Sequence, residues 1–206
     1  MSVQCTPEGV LHPVFTIYTI GHSTRTLDEL VAALQAHGVA TLVDIRAFPM
    51  SRRLPHFNRE SLERELPRRG IAYVWMKELG GHRKKIRDES PNTGLRNDSF
   101  RNYADYMLTP EFAQAIVRLL ETASTPTLSP TSGDKGGAPA VGNTAYMCAE
   151  RMYFNCHRML VSDYLTAHGH TVLHIDDDKR PLRQHKLMAE AHLVGEQLLY
   201  NAQDLF

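Results

Sequence analysis

Apolar residues gather along this chain in short, unbroken runs. Five of them, Phe15–Ile20, Thr41–Ile45, Ile71–Met76, Thr144–Cys148 and Thr171–Ile175, are rich in β-branched or aromatic residues and lack clean polar alternation. That pattern predicts strands buried on both faces, as in a parallel sheet. Helical signals fall between them. Thr26-Leu27-Asp28-Glu29 reads as a capping box opening a helix over Leu27–His37, closed by Gly38. A second helix over Arg59–Arg69 ends at Gly70, with Pro67 weakening its last turn. Phe100–Leu108 is followed by Thr109-Pro110, an N-cap with proline at the first helical position, opening a helix to about Thr122. Met159–His168 ends at Gly169, and Gln184–Gln203 reads as a long C-terminal helix. Strands alternating with helices predict the α/β class: a three-layer fold with a mostly parallel five-stranded sheet and helices on both faces.

Ser124–Asn143 interrupts this pattern with a Ser/Thr/Pro/Gly-rich stretch that holds almost no large apolar residue. It reads as a disordered insertion between a helix and the fourth strand, not as a domain boundary, because the fold needs elements from both sides. The expected organisation is a flexible N-terminus over residues 1–14 and one α/β domain over 15–206, with the insertion at 124–143.

The 206 residues suit one domain, and equal numbers of basic and acidic residues, 23 each, leave no net charge to argue for a nucleic-acid partner. Three cysteines do not make a disulfide framework. With Cys5 near the N-terminus, Cys148 and Cys156 are expected as thiols in a reducing compartment. No signal peptide and no apolar stretch long enough to span a membrane is evident, so a cytoplasmic protein without a membrane partner is expected. The sequence gives no indication of oligomeric state and calls for no cofactor.

In an open parallel sheet, ligands bind beyond the carboxyl ends of the strands. Strand one is followed by Gly21-His22-Ser23, a turn or a ligand contact. Strand two ends at Asp44 and is followed by Arg46, then Pro49-Met50-Ser51-Arg52, an anion-friendly turn. Asp44 and Arg46 can equally form a structural pair, because a charge at the end of a buried strand is costly unless paired. Strand three carries Tyr73 and is followed by Leu79-Gly80-Gly81 and the basic His82–Lys85. Strand four is followed by Cys148, Glu150, Cys156, His157 and Arg158, a concentration of reactive groups within eleven residues. Three chemistries could use them: a thiolate lowered by a helix N-terminus and Arg158, a carboxylate acid/base at Glu150 partnered by His157 or His22, or a metal. A metal is disfavoured, because the cysteine spacing is not the usual one and adjacent Cys156 and His157 should point apart. Both cysteines could also be small buried apolar residues.

Taken together, Thr19-Ile20-Gly21-His22-Ser23, Val43-Asp44-Ile45-Arg46 with Pro49 and Ser51-Arg52, Leu79-Gly80-Gly81, and Met147-Cys148-Ala149-Glu150 followed by Cys156-His157-Arg158 resemble the domain-of-unknown-function family 488. The resemblance covers about Thr16 to Ile175. It implies an α/β domain in a bacterial or archaeal cytosol and singles out the same strand-end residues, with no settled reaction. A weaker likeness is to rhodanese and Cys-phosphatase domains, through Val43-Asp44-Ile45-Arg46 and the path from Cys148 to Arg158. That path is longer than their active loops and carries Met152-Tyr153-Phe154 where glycines would be expected.

Three functions follow. The first is an enzyme or binding domain for a phosphate-bearing, nucleotide-like or nucleic-acid ligand. Glu150, His157, Asp44, His22 and Cys148 would carry chemistry, and Ser23, Arg46, Ser51, Arg52, Tyr73, Gly80, Gly81, Cys156 and Arg158 would bind substrate. The second is a Cys-dependent transferase or hydrolase with Cys148 or Cys156 as nucleophile. The third is a nucleic-acid module without chemistry, using Arg52-Arg53, Arg68-Arg69 and His82–Lys85. The residues favour the first, with Glu150 between Arg46 and Arg158 and Cys148 in a supporting role.

Overall fold

The computed structural model describes residues 3–5, 11–125, 142–176 and 180–201. A short antiparallel pair, β1 (Val3–Cys5) and β2 (Leu11–Pro13), precedes the main sheet. The chain then runs β3 (Thr16–Gly21), α1 (Leu27–Gln35), β4 (Val39–Asp44), α2 (Arg59–Glu65), β5 (Ala72–Trp75), α3 (Asp98–Met107), α4 (Pro110–Ser124), β6 (Asn143–Cys148), α5 (Arg158–Ala167) and β7 (Thr171–Ile175). β8 (Arg183–Gln184), β9 (Ala191–Val194) and β10 (Gln197–Tyr200) complete it.

The main sheet has six strands in the order β5-β4-β6-β3-β7-β8. Its first five are parallel, and β8 adds a short antiparallel edge. The three-layer α/β reading therefore holds, with one strand more than the apolar runs predict. β8 is only two residues long and both, Arg183 and Gln184, are polar, so it has no apolar signature.

Helices α1 and α2 pack Leu27, Leu30, Leu34 and Leu62 against Ile20, Leu42, Ala145, Met147 and Ile175 on one face. Helices α3, α4 and α5 pack Tyr103, Phe112, Leu119 and Leu160 against Ile17, Val43, Tyr146 and Val172 on the other. Successive strand residues thus go to opposite layers, as the pleat requires.

Local signals set the element ends. Thr26 caps α1 in a reciprocal box: the Glu29 amide donates to Thr26 Oγ1 at 3.2 Å and the Thr26 amide donates to Glu29 Oε2 at 2.7 Å. Thr109 and Pro110 open α4. Pro67 ends α2 early, and Pro67–Arg69 continues as a single 3-10 turn closed by left-handed Gly70.

The expected helix over Gln184–Gln203 is not formed. Its place is taken by the end of β8 and the β9–β10 hairpin. Gly195, at φ 60°, lies in the two-residue hairpin loop, where a positive φ favours glycine. Tertiary bonds hold the extended form. The Tyr200 amide donates to Asn92 Oδ1 at 3.0 Å, the Gly94 amide donates to the Tyr200 carbonyl at 2.8 Å, and the His185 amide donates to the Val172 carbonyl at 2.8 Å. These override a sequence rich in helix formers.

The expected insertion at 124–143 falls mostly outside the described residues; Ser124 ends α4 and Asn143 begins β6. No helix among the described residues is long and apolar enough to cross a membrane.

Candidate functional site

The parallel strands end together. Gly21 of β3 lies opposite Cys148 of β6, and Asp44 of β4 lies opposite Met147 of β6 and Trp75 of β5. The chain leaves β4 for a helix on one face and leaves β6 for a helix on the other, so the crevice between them is a topological switch point. The strand-end loops are stitched by backbone bonds. The His22 and Ser23 amides donate to the carbonyls of Cys148 and Ala149 at 3.0 and 2.9 Å.

Glycine permits this closeness. A Cβ on Gly21 would stand 1.8 Å from the Glu150 carbonyl oxygen, one on Gly80 would stand 2.8 Å from the Ala47 backbone, and one on Gly81 would stand 2.4 Å from Nδ1 of His157. The motif glycines are therefore places where two loops touch. Gly81 also lines the cleft described below, whereas Gly80 does not border it.

At the floor, Cys148 Sγ and Cys156 Sγ are 2.9 Å apart, and both residues are buried. Arg158, only 1% exposed, is the first residue of α5. Its Nε donates to Cys148 Sγ at 3.2 Å and its Nη1 to Thr19 Oγ1 at 3.2 Å, while Nη2 donates to the carbonyls of Glu150 and Arg151 at 2.5 and 2.9 Å. Its backbone amide faces Cys156 Sγ at 3.4 Å. Among the described residues no carboxylate pairs with this buried guanidinium. A buried cation demands a nearby anion, and the sulfurs are the groups able to supply it.

The two thiols titrate as a pair. The hydrogen bond from Cys148, then the neighbouring His157 and the Arg158 charge, draw Cys156 well below an ordinary thiol despite its burial. Burial, together with Cys156 beside it, pushes Cys148 up. The two directions together favour the negative charge on Cys156 over Cys148.

His157 sits between Cys156 and the third strand-end loop. Its Nε2 donates to the Ile45 carbonyl at 3.1 Å, and its Nδ1 lies beside Gly81. Cys148 Sγ, Cys156 Sγ and one ring nitrogen of His157 all lie within 4.8 Å of one another. The sequence-based expectation that Cys156 and His157 point apart is therefore incorrect. The short 3-10 turn Tyr153–Asn155 folds the loop back and sends both side chains to the same place. This grouping is close enough to hold a metal ion, and Arg158 directs a fixed positive charge at Cys148 Sγ beside it.

Asp44 and Arg46 form a second buried unit. Asp44 is fully buried and accepts from Arg46 Nε at 2.9 Å, from Arg46 Nη2 at 2.5 Å and from the Tyr73 hydroxyl at 2.7 Å. Arg46 Nη2 also donates to the Phe57 carbonyl at 2.8 Å, and Nη1 donates to His22 Nε2 at 3.1 Å. His22 must then carry its proton on Nδ1, which donates to the Ser23 carbonyl at 2.9 Å. Burial first, and the Arg46 charge second, lower His22 to a pKa of about 4. Burial and the Asp44 carboxylate hold the Tyr73 phenol far above its ordinary value. The structural pairing weighed for Asp44 and Arg46 is thus present, and it engages Tyr73 and His22 as well.

Above these two units opens a cleft of about 380 Å³, bordered by Arg46, Phe48, Arg83, Phe100, Glu150, Asn155 and Cys156 among others. A neighbouring recess of about 450 Å³ is bordered by Ser23, Met50, Ser51 and again Glu150 and Asn155. Glu150 is exposed on the rim of both. Ser23 is held at φ 51°. Ser51 Oγ accepts the Leu54 amide at 3.1 Å, and Arg52 is exposed and borders neither space.

Sequence reasoning did not single out Asn155, Phe48 or Phe100, and it named Thr19 only within the family motif and Arg83 only within the basic His82–Lys85 run. Arg83 lies 3.6 Å over the Tyr106 ring, and Phe48 is 73% exposed at the cleft mouth. An apolar side chain beside a turn proline was the available signal for Phe48. It also missed a buried polar chain beneath the Cys148–Cys156 loop. Here Asp163 Oδ1 accepts from His185 Nε2 at 2.8 Å, and His185 Nδ1 meets His174 Nε2 at 3.0 Å. Tyr153 stacks on His174 with ring centres 3.6 Å apart.

The model of the family described as a domain of unknown function, DUF488, matches residues 26–129, half of the chain. The chain belongs to that family. The matched range includes Asp44, Arg46, Tyr73, Gly80 and Gly81 and stops before Cys148. No curated protein and no solved structure matches the chain.

Proposed function

We propose that the chain is a Cys-dependent enzyme, a transferase or hydrolase, whose nucleophile is a thiolate of the Cys148–Cys156 pair. Both cysteines border the cleft; Cys156, 7% exposed against 2% for Cys148, is the attacking sulfur, being the more accessible and the member of the pair drawn below the ordinary thiol range. His157 is the adjacent base, oriented by the Ile45 carbonyl through its other nitrogen. Nucleophile, base and orienting group form the arrangement that activated cysteines use. The observation that carries this reading is Arg158, buried without a carboxylate partner among the described residues and bonded to Cys148 Sγ. A reduced thiol pair also suits a cytoplasmic setting.

A phosphate-bearing, nucleotide-like or nucleic-acid ligand has weaker support. Of the three arginines in that reading, Arg46 and Arg158 direct their donors at protein groups, and Arg52 borders neither space. Glu150 adds negative charge to the rim.

The test is the pH dependence of iodoacetamide alkylation, read at Cys156 by mass spectrometry. The expected rate changes little between pH 6 and pH 8. An ordinary thiol would slow by about 100-fold over the same interval. A profile that follows the ordinary thiol overturns the reading.

A further inference from the structure

Resting on that reading, we propose that Cys148 is a resolving thiol and that the pair carries out thiol–disulfide exchange, with a disulfide or its reduced thiols as the substrate class. The geometry behind this is the 2.9 Å approach of the two sulfurs. A disulfide requires about 2.05 Å, so forming the bond asks for a closure of less than about 1 Å. Cys148 ends a rigid central strand, whereas Cys156 follows a single 3-10 turn, so the closing movement belongs to Cys156.

The step balances as follows. The Cys156 thiolate attacks one sulfur of R–S–S–R′; a Cys156–S–S–R bond forms, the substrate bond breaks and R′S⁻ leaves. Cys148 then passes its proton to the departed R′S⁻ and attacks Cys156 Sγ, the second leaving thiolate taking its proton from solvent. The Cys148–Cys156 bond forms and RS⁻ leaves. The substrate gains two electrons and becomes two thiols, while the pair loses two and becomes a disulfide. The reverse sequence oxidises two substrate thiols.

The leaving group separates this class from hydroperoxides. A hydroperoxide expels an alkoxide or hydroxide, a strong base that needs hydrogen-bond donors at the reacting sulfur. The nearest guanidinium donates to Cys148, Thr19, Glu150 and Arg151. A thiolate is a much weaker base and leaves without that help. Phe48, 73% exposed at the cleft, and Met50, 77% exposed at the neighbouring recess, offer apolar surface that suits a sulfur-bearing organic group. Oxidation also removes the anion beside Arg158, so the protein disulfide is an easily reduced one.

The experiment uses the full chain carrying Cys5→Ser, so that only this pair is counted. It is incubated with oxidised glutathione or cystamine and analysed by differential alkylation and peptide mass spectrometry. The expected product is a Cys148–Cys156 linked peptide with two small thiols released per chain. Cys148→Ala and Cys148→Ser should both stop at a mixed disulfide on Cys156 with one thiol released. If the parent also stops at the mixed disulfide, Cys148 does not resolve and this inference falls, while the nucleophile reading stands. If Cys156 reacts with neither disulfide nor iodoacetamide, both fall. If hydroperoxide links the pair and the disulfides do not, the substrate class is wrong.

Discussion

Asp163 accepts a hydrogen bond from His185 at 2.8 Å, and with both rings neutral this contact sets the tautomers of two buried histidines. His185 carries its proton on Nε2, so its Nδ1 must accept. His174 therefore donates from Nε2 and keeps a bare Nδ1, which is buried without a partner. Protonating His174 would place an N–H and a charge on this partnerless, buried Nδ1. Burial first, then His185 and Arg158, lower His174 to a pKa of about 3.

Acid sensitivity follows from the sign of these shifts. His174 and His22, at about 3 and about 4, bind protons in the unfolded chain near pH 6.5 but not in the folded one. Between those limits the unfolded state holds more protons, so stability falls as pH falls. Each histidine should cost on the order of 1 kcal/mol per pH unit below about 6.5, levelling near its folded value. Urea unfolding at pH 7.5, 6 and 5 measures this, and His174→Gln should flatten part of the slope. An unchanged slope in that variant would remove His174 from the account.

Arg158 links the fold to the thiols. Arg158→Met deletes the cation beside the pair and the bonds to the Glu150 and Arg151 carbonyls. Breaking a buried charge pair costs about 3–5 kcal/mol. Arg158→Lys keeps the charge but not the fork. The expected result is a Cys156 alkylation profile displaced to higher pH in Arg158→Met and less so in Arg158→Lys. Profiles identical to the parent would show that another group supplies the counter-charge.

Much of the architecture was legible because its signals are local. The apolar runs gave the five parallel strands, and Thr26, Thr109 and Gly38 marked helix ends through capping chemistry that needs few neighbours. The C-terminal hairpin was not legible, because it depends on distant bonds from Tyr200 to Asn92 and Asp163 that no local window contains. At the site, the strand-end rule located Cys148, Cys156, His157 and Arg158. What it could not supply was direction. Arg46 and Arg158 were expected to face a ligand, but one turns to Asp44 and the other to Cys148. Asp163, His174 and His185 come from separate elements with no common spacing.

Asp44 provides the contrast to Arg158. Asp44→Asn would leave Arg46 buried without its carboxylate, and the expected loss is about 3–5 kcal/mol. Replacing both, as Asp44→Asn with Arg46→Met, should recover part of it, a coupling that a double-mutant cycle reads. The Cys156 alkylation profile should stay in place in any of these variants that folds. A displaced profile with unchanged stability would instead make Asp44 part of the chemistry.

Gly81 tests the base. A Cβ there would meet His157 Nδ1 at 2.4 Å, so Gly81→Ala must push the imidazole away from Cys156 or move the loop. The imidazole is partly exposed and can yield, which keeps the expected stability loss to about 1–2 kcal/mol. Reactivity should respond more sharply, with alkylation of Cys156 at pH 6 slowed by about tenfold or more. Glu150→Gln, at an exposed rim position, is the comparison and should change stability by less than about 0.5 kcal/mol. Equal alkylation rates for Gly81→Ala and the parent would show that His157 does not assist the thiol, and would leave Arg158 and the N-terminus of α5 as its support.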